Sequence, residues 1–231
     1  MCPSIAGTDG LAEAADNRSF DIPDQVPKNE FSQYAFRHVA TLVHPLILNH
    51  SLRVFLLAQH LARSERSEWA APQRLPTLFA TAIFHDVGTC SKHDGHQRFE
   101  VEGADAAENF MRSHGSSADD AREAWVAVAL HTSPGIAERI SSLARLLRLG
   151  VTIDFKRAAV MPMVPEMVVR EIEKHFPRGE IEKVLGDAVV EQAIGREGAE
   201  RVAKAPAASW PGVLLRSRLE NPEWSGVNKA F

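Results

Sequence analysis

Residues 77–87 constrain this chain more than any other stretch. Leu78, Phe79, Ala80, Ala82, Ile83 and Phe84 make them apolar nearly all round. Pro76 stands where the first turn of a helix tolerates proline, and Gly88 offers a stop. A helix with no polar face has nothing to turn toward water, so it predicts the centre of a domain with other helices packed around it. At its end stand His85 and Asp86. Burying a carboxylate beside an imidazole is costly unless the charge is paired or bound to a metal ion.

The rest of the chain supplies the surrounding helices. Phe31, Tyr34, His38, Val39 and Leu42 share one helical face, and Pro45 ends that helix or prepares the next. A second helix over 48–63 sets Leu52, Phe55, Leu56, Gln59 and Ala62 inward. Helical periods follow over 98–114, stopped by Gly115, and from a cap at Asp119 or Asp120 to His131. An amphipathic helix over 136–149 is predicted to stop at Gly150, and two more cover 165–175 and 180–193. Residues 151–154 suit a short strand or a helix equally. Without sustained alternation elsewhere, the fold class is all-α. Residues 1–29, rich in Gly, Asp, Ser, Pro and Ala, read as a loose arm, 30–202 as the domain, and 203–231 as a tail packed on it.

The 231 residues, 45% of them hydrophobic, suffice for a core without disulfides. The two cysteines, Cys2 and Cys90, fit a reducing compartment, and Cys2 falls in the arm. A net charge of −4 without a basic stripe argues against nucleic acid as a partner. No apolar run is long enough for a membrane span, and none follows an early basic residue as in a secretory signal. The default placement is the cytoplasm, with a small-molecule substrate as partner and no membrane.

Imidazole nitrogen and carboxylate oxygen both suit zinc, iron and similar divalent ions. Adjacent helical residues point roughly 100° apart, so His85 and Asp86 converge on one ion only beyond the helix end. Completing its sphere takes other helices, with His50 upstream and an acidic residue downstream as candidates. A capping Asp beside a core His gives the same two letters. His38, His60, His114 and His175 read as ordinary helix residues.

The order Asn49-His50-Ser51-Leu52-Arg53, then His85-Asp86-Val87-Gly88-Thr89, then Asp154 resembles the HD superfamily of metal-dependent hydrolases and lyases. The resemblance implies that His50, His85, Asp86 and Asp154 bind one metal ion. Arg98-Phe99-Glu100 with Gly103, His131 in Ala129-Leu130-His131-Thr132, and more loosely His175-Phe176-Pro177-Arg178 and Trp210-Pro211, are similar to the cyanamide hydratase branch. Two-metal members carry further histidines where this chain has Phe99 and Thr132. That difference favours a single ion, zinc by the branch expectation, over two-metal phosphodiesterases and di-iron oxygenases.

A divalent ion lowers the pKa of its bound water toward neutrality. The branch likeness then implies addition of hydroxide to the nitrile carbon of cyanamide or a related compound, giving urea. His131 is the candidate for proton transfer, with Asp86 sharing that role while it ligates. Thr89, Phe99 and Glu100 match branch positions and are expected to line the substrate pocket. The likeness also leaves room for a homodimer paired through apolar helices. One rival reading is hydrolysis of a nucleotide or other small phosphomonoester, for which Arg53 is a candidate phosphate group; its other role is an ion pair behind the ligand helix. A second rival is a non-catalytic sensor or scaffold.

Overall fold

The structure, a computed structural model, describes residues 21–231. Cys2 and residues 1–20 of the expected arm lie outside the described residues, and Val26, within 21–29, is buried. The described residues form eleven α-helices and no strand. They are α1 (Glu30–Ala40), α2 (Pro45–Ser64), α3 (Leu75–Phe84), α4 (Phe99–Ser113), α5 (Ala118–Leu130), α6 (Ala137–Ile140), α7 (Ser142–Asp154), α8 (Glu166–His175), α9 (Ile181–Ile194), α10 (Gly198–Lys204) and α11 (Trp210–Glu220). The all-α reading holds.

Caps set many of the boundaries. Asn29 accepts from the Ser32 amide to start α1, and His44 with Pro45 starts α2. Ser117, rather than Asp119 or Asp120, caps α5; the two aspartates occupy its first turn, where they favour the helix dipole. Ser141 takes an extended conformation and accepts from the Ala144 amide, which divides the single helix expected over 136–149 into α6 and α7.

The apolar helix is central, as its composition demanded. Every residue of α3 from Thr77 to Phe84 is buried, and α3 packs against α1, α2, α4 and α5. Phe55 of α2 meets Phe79 of α3 edge to face, with ring centroids 5.0 Å apart. Deleting a buried ring of this kind costs about 3–5 kcal/mol. Two inward faces differ from expectation. Tyr34 is 51% exposed, and α1 buries Ser32, Ala35, Phe36 and Val39 instead. In α2, Leu56 and Gln59 are half-buried while Leu57, Ala58 and Leu61 are buried. The reason is that α2 is enclosed by α3, α7, α8 and α9, so its buried surface is wider than one stripe.

Two glycines act by close approach. Gly150 does not stop a helix; α7 continues through it to Asp154. A Cβ at Gly150 would lie 2.9 Å from the Val54 carbonyl oxygen, so the missing side chain lets α7 cross α2 closely. The alternative of a strand at 151–154 is thereby excluded. At Gly88 a Cβ would lie 2.0 Å from the Phe99 carbonyl oxygen and 2.8 Å from the Gly103 nitrogen. The turn after Asp86 thus sits directly on the start of α4. Gly88→Ala is expected to destabilise the protein by about 2–3 kcal/mol, because backbone rather than a flexible side chain must yield. Chemical denaturation of the variant against wild type measures this, and an unchanged midpoint would refute the close approach.

Candidate metal centre

Three helices end at one place. His85 is the C-cap of α3, His131 is the C-cap of α5, and Asp154 is the last residue of α7. His50, in the second turn of α2, completes the group. Helix C-termini carry partial negative charge, so their convergence favours a cation before any side chain is counted.

Those same ends decide the imidazole tautomers. The last carbonyls of a helix lack intrahelical partners. His85 Nδ1 lies 2.7 Å from the Ala82 oxygen, and His131 Nδ1 lies 2.6 Å from the Val128 oxygen. A carbonyl only accepts, so each Nδ1 carries the hydrogen and each Nε2 is left with a lone pair. His50 Nδ1 lies 2.6 Å from Asp154 Oδ2 and donates to that carboxylate. Its Nε2 is therefore an acceptor as well.

The acceptors face one another. His50 Nε2 and His85 Nε2 are 3.2 Å apart. Asp86 Oδ2 lies 3.1 Å from His85 Nε2 and 3.5 Å from His50 Nε2, and it has no hydrogen-bond partner. All three residues are at most 1% exposed. Three buried acceptors without a donor repel unless a cation sits among them. A tetrahedral zinc ion with ligands at about 2.0–2.1 Å holds them roughly 3.3 Å apart. The separations of 3.1–3.5 Å match that spacing. His50, His85 and Asp86 thus fit a divalent ion.

The charge of the group centres on Asp86, which favours a cation or proton beside it. Burial alone would raise the Asp86 carboxyl, but the neighbouring imidazoles hold it well below the usual carboxylate range. Burial lowers the His50 pKa, outweighing its pairing with Asp154. His85 is also penalised by burial, yet the Asp86 charge lifts its pKa above the usual histidine value.

The structure does not bring Asp154 into this group. Arg53 Nε donates to its Oδ1 at 2.6 Å, an Arg53 terminal nitrogen donates to Oδ2 at 2.8 Å, and Oδ2 also accepts from His50. Both oxygens accept hydrogen bonds, and Asp154 lies behind His50, on the Nδ1 side of its ring. Such partners fix the ring and its tautomer. Arg53 is fully buried and makes the supporting ion pair, not a phosphate contact. Its second terminal nitrogen donates to the carbonyls of Phe176 and Pro177, and Arg178 donates to the Asp154 carbonyl. The His175–Arg178 run thus braces the same pair.

A cavity of about 290 Å³ opens onto the group, with His50, Asp86 and His131 on its wall. His131 Nε2 lies 3.5 Å from Asp86 Oδ1. Thr89, Phe99 and Glu100 do not line the cavity. The Thr89 hydroxyl donates to the Asp86 carbonyl. The Phe99 ring packs behind His131, centroid to centroid 5.6 Å. Glu100, fully buried, accepts from the Thr132 hydroxyl, and it is Thr132 that reaches the cavity. All three support the wall from one layer back, because the start of α4 is pressed against the turn at Gly88.

The lining that sequence reasoning missed comes from α7 and the C-terminal segment. Arg148, Val151, Thr152 and Phe155 all face the cavity. Their spacing of three, four and seven residues is one helical face, legible only once α7 is known to continue through Gly150. Trp210, Val213 and Phe231 add the apolar side, and Arg157 stands at the edge. Ser209 caps α11 and Pro211 sits in its first turn, a helix-start signal that leads to Trp210.

Residues 47–201 match the family described as HD domain. The chain therefore belongs to the HD-domain family, whose members are metal-dependent hydrolases. Within the family it is similar to the cyanamide hydratases DDI2 and DDI3 of Saccharomyces cerevisiae. It is 24% identical to each over 155 residues, covering 66% of this chain and 68% of theirs. Among the described residues, no helix is long and apolar enough to cross a membrane.

Proposed function

We propose that this protein adds water to the nitrile carbon of cyanamide or a related small N-cyano compound. The observation that carries the reading is the convergence of His50 Nε2, His85 Nε2 and Asp86 Oδ2 on the wall of a cavity of about 290 Å³. The similarity to two cyanamide hydratases supplies the reaction class. We assign zinc on the likeness to the cyanamide hydratases; two imidazoles and a carboxylate with room for a further ligand suit it, as they do iron. When bound there, a divalent ion supplies Lewis acidity and makes water acidic enough to ionise near neutral pH.

The residues divide the remaining work. Asp154, locked by Arg53, holds the His50 ring with Nε2 toward the ion. The Val128 carbonyl holds the His131 ring with its Nε2 free toward Asp86 and the cavity. That nitrogen takes a proton from water and returns one to the nitrile nitrogen as the carbon–oxygen bond forms and a carbon–nitrogen π bond breaks. The isourea so formed tautomerises to urea. Nothing leaves.

Urea release from cyanamide tests the reading. His131→Ala is expected to keep the metal and lose about 10²–10⁴-fold in kcat, the range for a positioned acid–base group. Metal content by elemental analysis and turnover by urea quantification separate the two roles. A second reading, phosphomonoester hydrolysis, draws on Arg148 and Arg157 beside the cavity. Turnover of p-nitrophenyl phosphate and nucleoside monophosphates, with no urea from cyanamide, would select it instead.

A further inference from the structure

Cyanamide has three non-hydrogen atoms, comparable to two or three waters at about 30 Å³ each. The cavity measures about 290 Å³, near the lower bound for sites that hold larger organic ligands. Its walls are not those of a site built for a small polar molecule. Phe155 and Trp210 each pack against Phe231 with ring centroids 5.5 Å apart. Leu185 and Val213 continue that apolar side.

The charges on the lining are one-sided. Asp86 is the one acidic side chain there, and it belongs to the metal group. Arg148 and Arg157 line the cavity as well. Arg148 is already engaged, with Nε 3.5 Å from Glu138 and a terminal nitrogen donating to the His131 carbonyl. Its Nε is nevertheless buried without a hydrogen-bond acceptor. Arg157 is exposed, and among the described residues no carboxylate is placed against it. A guanidinium fork uncommitted among the described residues matches a planar carboxylate. A phosphate dianion would call for further uncommitted cations.

We propose that the pocket takes an organic carboxylate several times larger than cyanamide: an apolar planar body among Phe155, Trp210 and Phe231, a carboxylate on Arg157, and the N-cyano group at His50, Asp86 and His131. This rests on the hydratase reading for the reacting group and on the cavity alone for size and charge. In the reaction, water oxygen bonds to the nitrile carbon as one carbon–nitrogen π bond breaks and that nitrogen takes one water proton; tautomerisation then moves the second proton from oxygen to the same nitrogen as the remaining carbon–nitrogen π bond gives way to the carbon–oxygen double bond. An N-substituted urea results, with no leaving group and no further reactant.

Three probes test it on the zinc-loaded full chain: cyanamide, phenylcyanamide and 4-(cyanoamino)benzoate. The expected result is a kcat/KM for 4-(cyanoamino)benzoate about tenfold or more above that for phenylcyanamide, the size of one charged hydrogen-bonded contact. In Arg157→Gln that ratio is expected to fall near one. Equal values for the two aryl probes in wild type, a ratio unchanged in the variant, or turnover of cyanamide alone each overturn the proposal while leaving the hydratase reading intact. If no probe is hydrated, the hydratase reading fails and the unreactive pair phenylurea and 4-ureidobenzoate decides by calorimetry. Tighter binding of the carboxylate, lost in Arg157→Gln, upholds the assignment of size and charge. Equal binding, or none, overturns it.

Discussion

Asp86→Ala is expected to leave the protein folded but without a stoichiometric metal ion, and to lower turnover on the order of 10³-fold or more. Asp86 supplies the one anionic atom of the donor-free group, and its Oδ2 has no other partner to lose. Zinc should then separate the two proteins. At a hundred times its Kd, a ligand stabilises the folded state by about 2.7 kcal/mol, which for a domain of this size raises Tm by several degrees. Wild type should show that shift and Asp86→Ala should not. A full equivalent of zinc retained by the variant would remove Asp86 from the ligand set.

The second large effect is on stability. Arg53→Met is expected to cost about 3–5 kcal/mol, because it leaves the buried Asp154 carboxylate with only His50 and, at 3.4 Å, Arg178 as polar partners. Burial alone would raise the Asp154 pKa. The Arg53 and His50 hydrogen bonds outweigh it and hold the carboxyl far below its usual range. A carboxylate depressed in the folded state stabilises fully above its unfolded pKa, and that contribution is lost as pH falls toward the folded value. Wild type should therefore lose stability on acidification below about pH 4, and Arg53→Met should show a weaker dependence there. Replacing both partners with apolar residues, Arg53→Met with Asp154→Leu, should recover much of the loss. Urea denaturation across pH measures all three. A double variant no more stable than the single one would show that the pair itself, rather than an unpaired charge, dominates.

Asp154 also separates the two ways of reading the site. As a ligand, its loss would resemble that of Asp86. As the orienting partner of His50, Asp154→Asn should weaken zinc binding by only about 10–100-fold. Titration with a competing chelator distinguishes these outcomes.

Much was legible in the chain as written. The apolar run through Phe84 dictated a central helix, because it had no face to expose, and the structure buries all of it. His85 and Asp86 stood out because their residue types are costly in a core, and the resemblance to the HD superfamily joined His50 and Asp154 to them. The HD-domain membership follows from the same motifs.

The cap at Ser141, the continuation of α7 through Gly150 and the roles of Arg53 and Asp154 depended on tertiary contacts. Glycine ends many helices when nothing opposes it. Here the Val54 backbone comes so close that only glycine fits, and packing overrides the local preference. That override carries Arg148, Val151, Thr152 and Phe155 onto one face and delivers Asp154 behind His50. A carboxylate in the sequence is equally able to bind metal or to orient a histidine. Arg53, about a hundred residues away in sequence but 2.6 Å away in space, donates to both oxygens and places the carboxylate behind His50. Residue chemistry by itself determined which groups must be brought together, whereas distance and hydrogen-bond commitment, which exist only in the folded chain, decided what each one does.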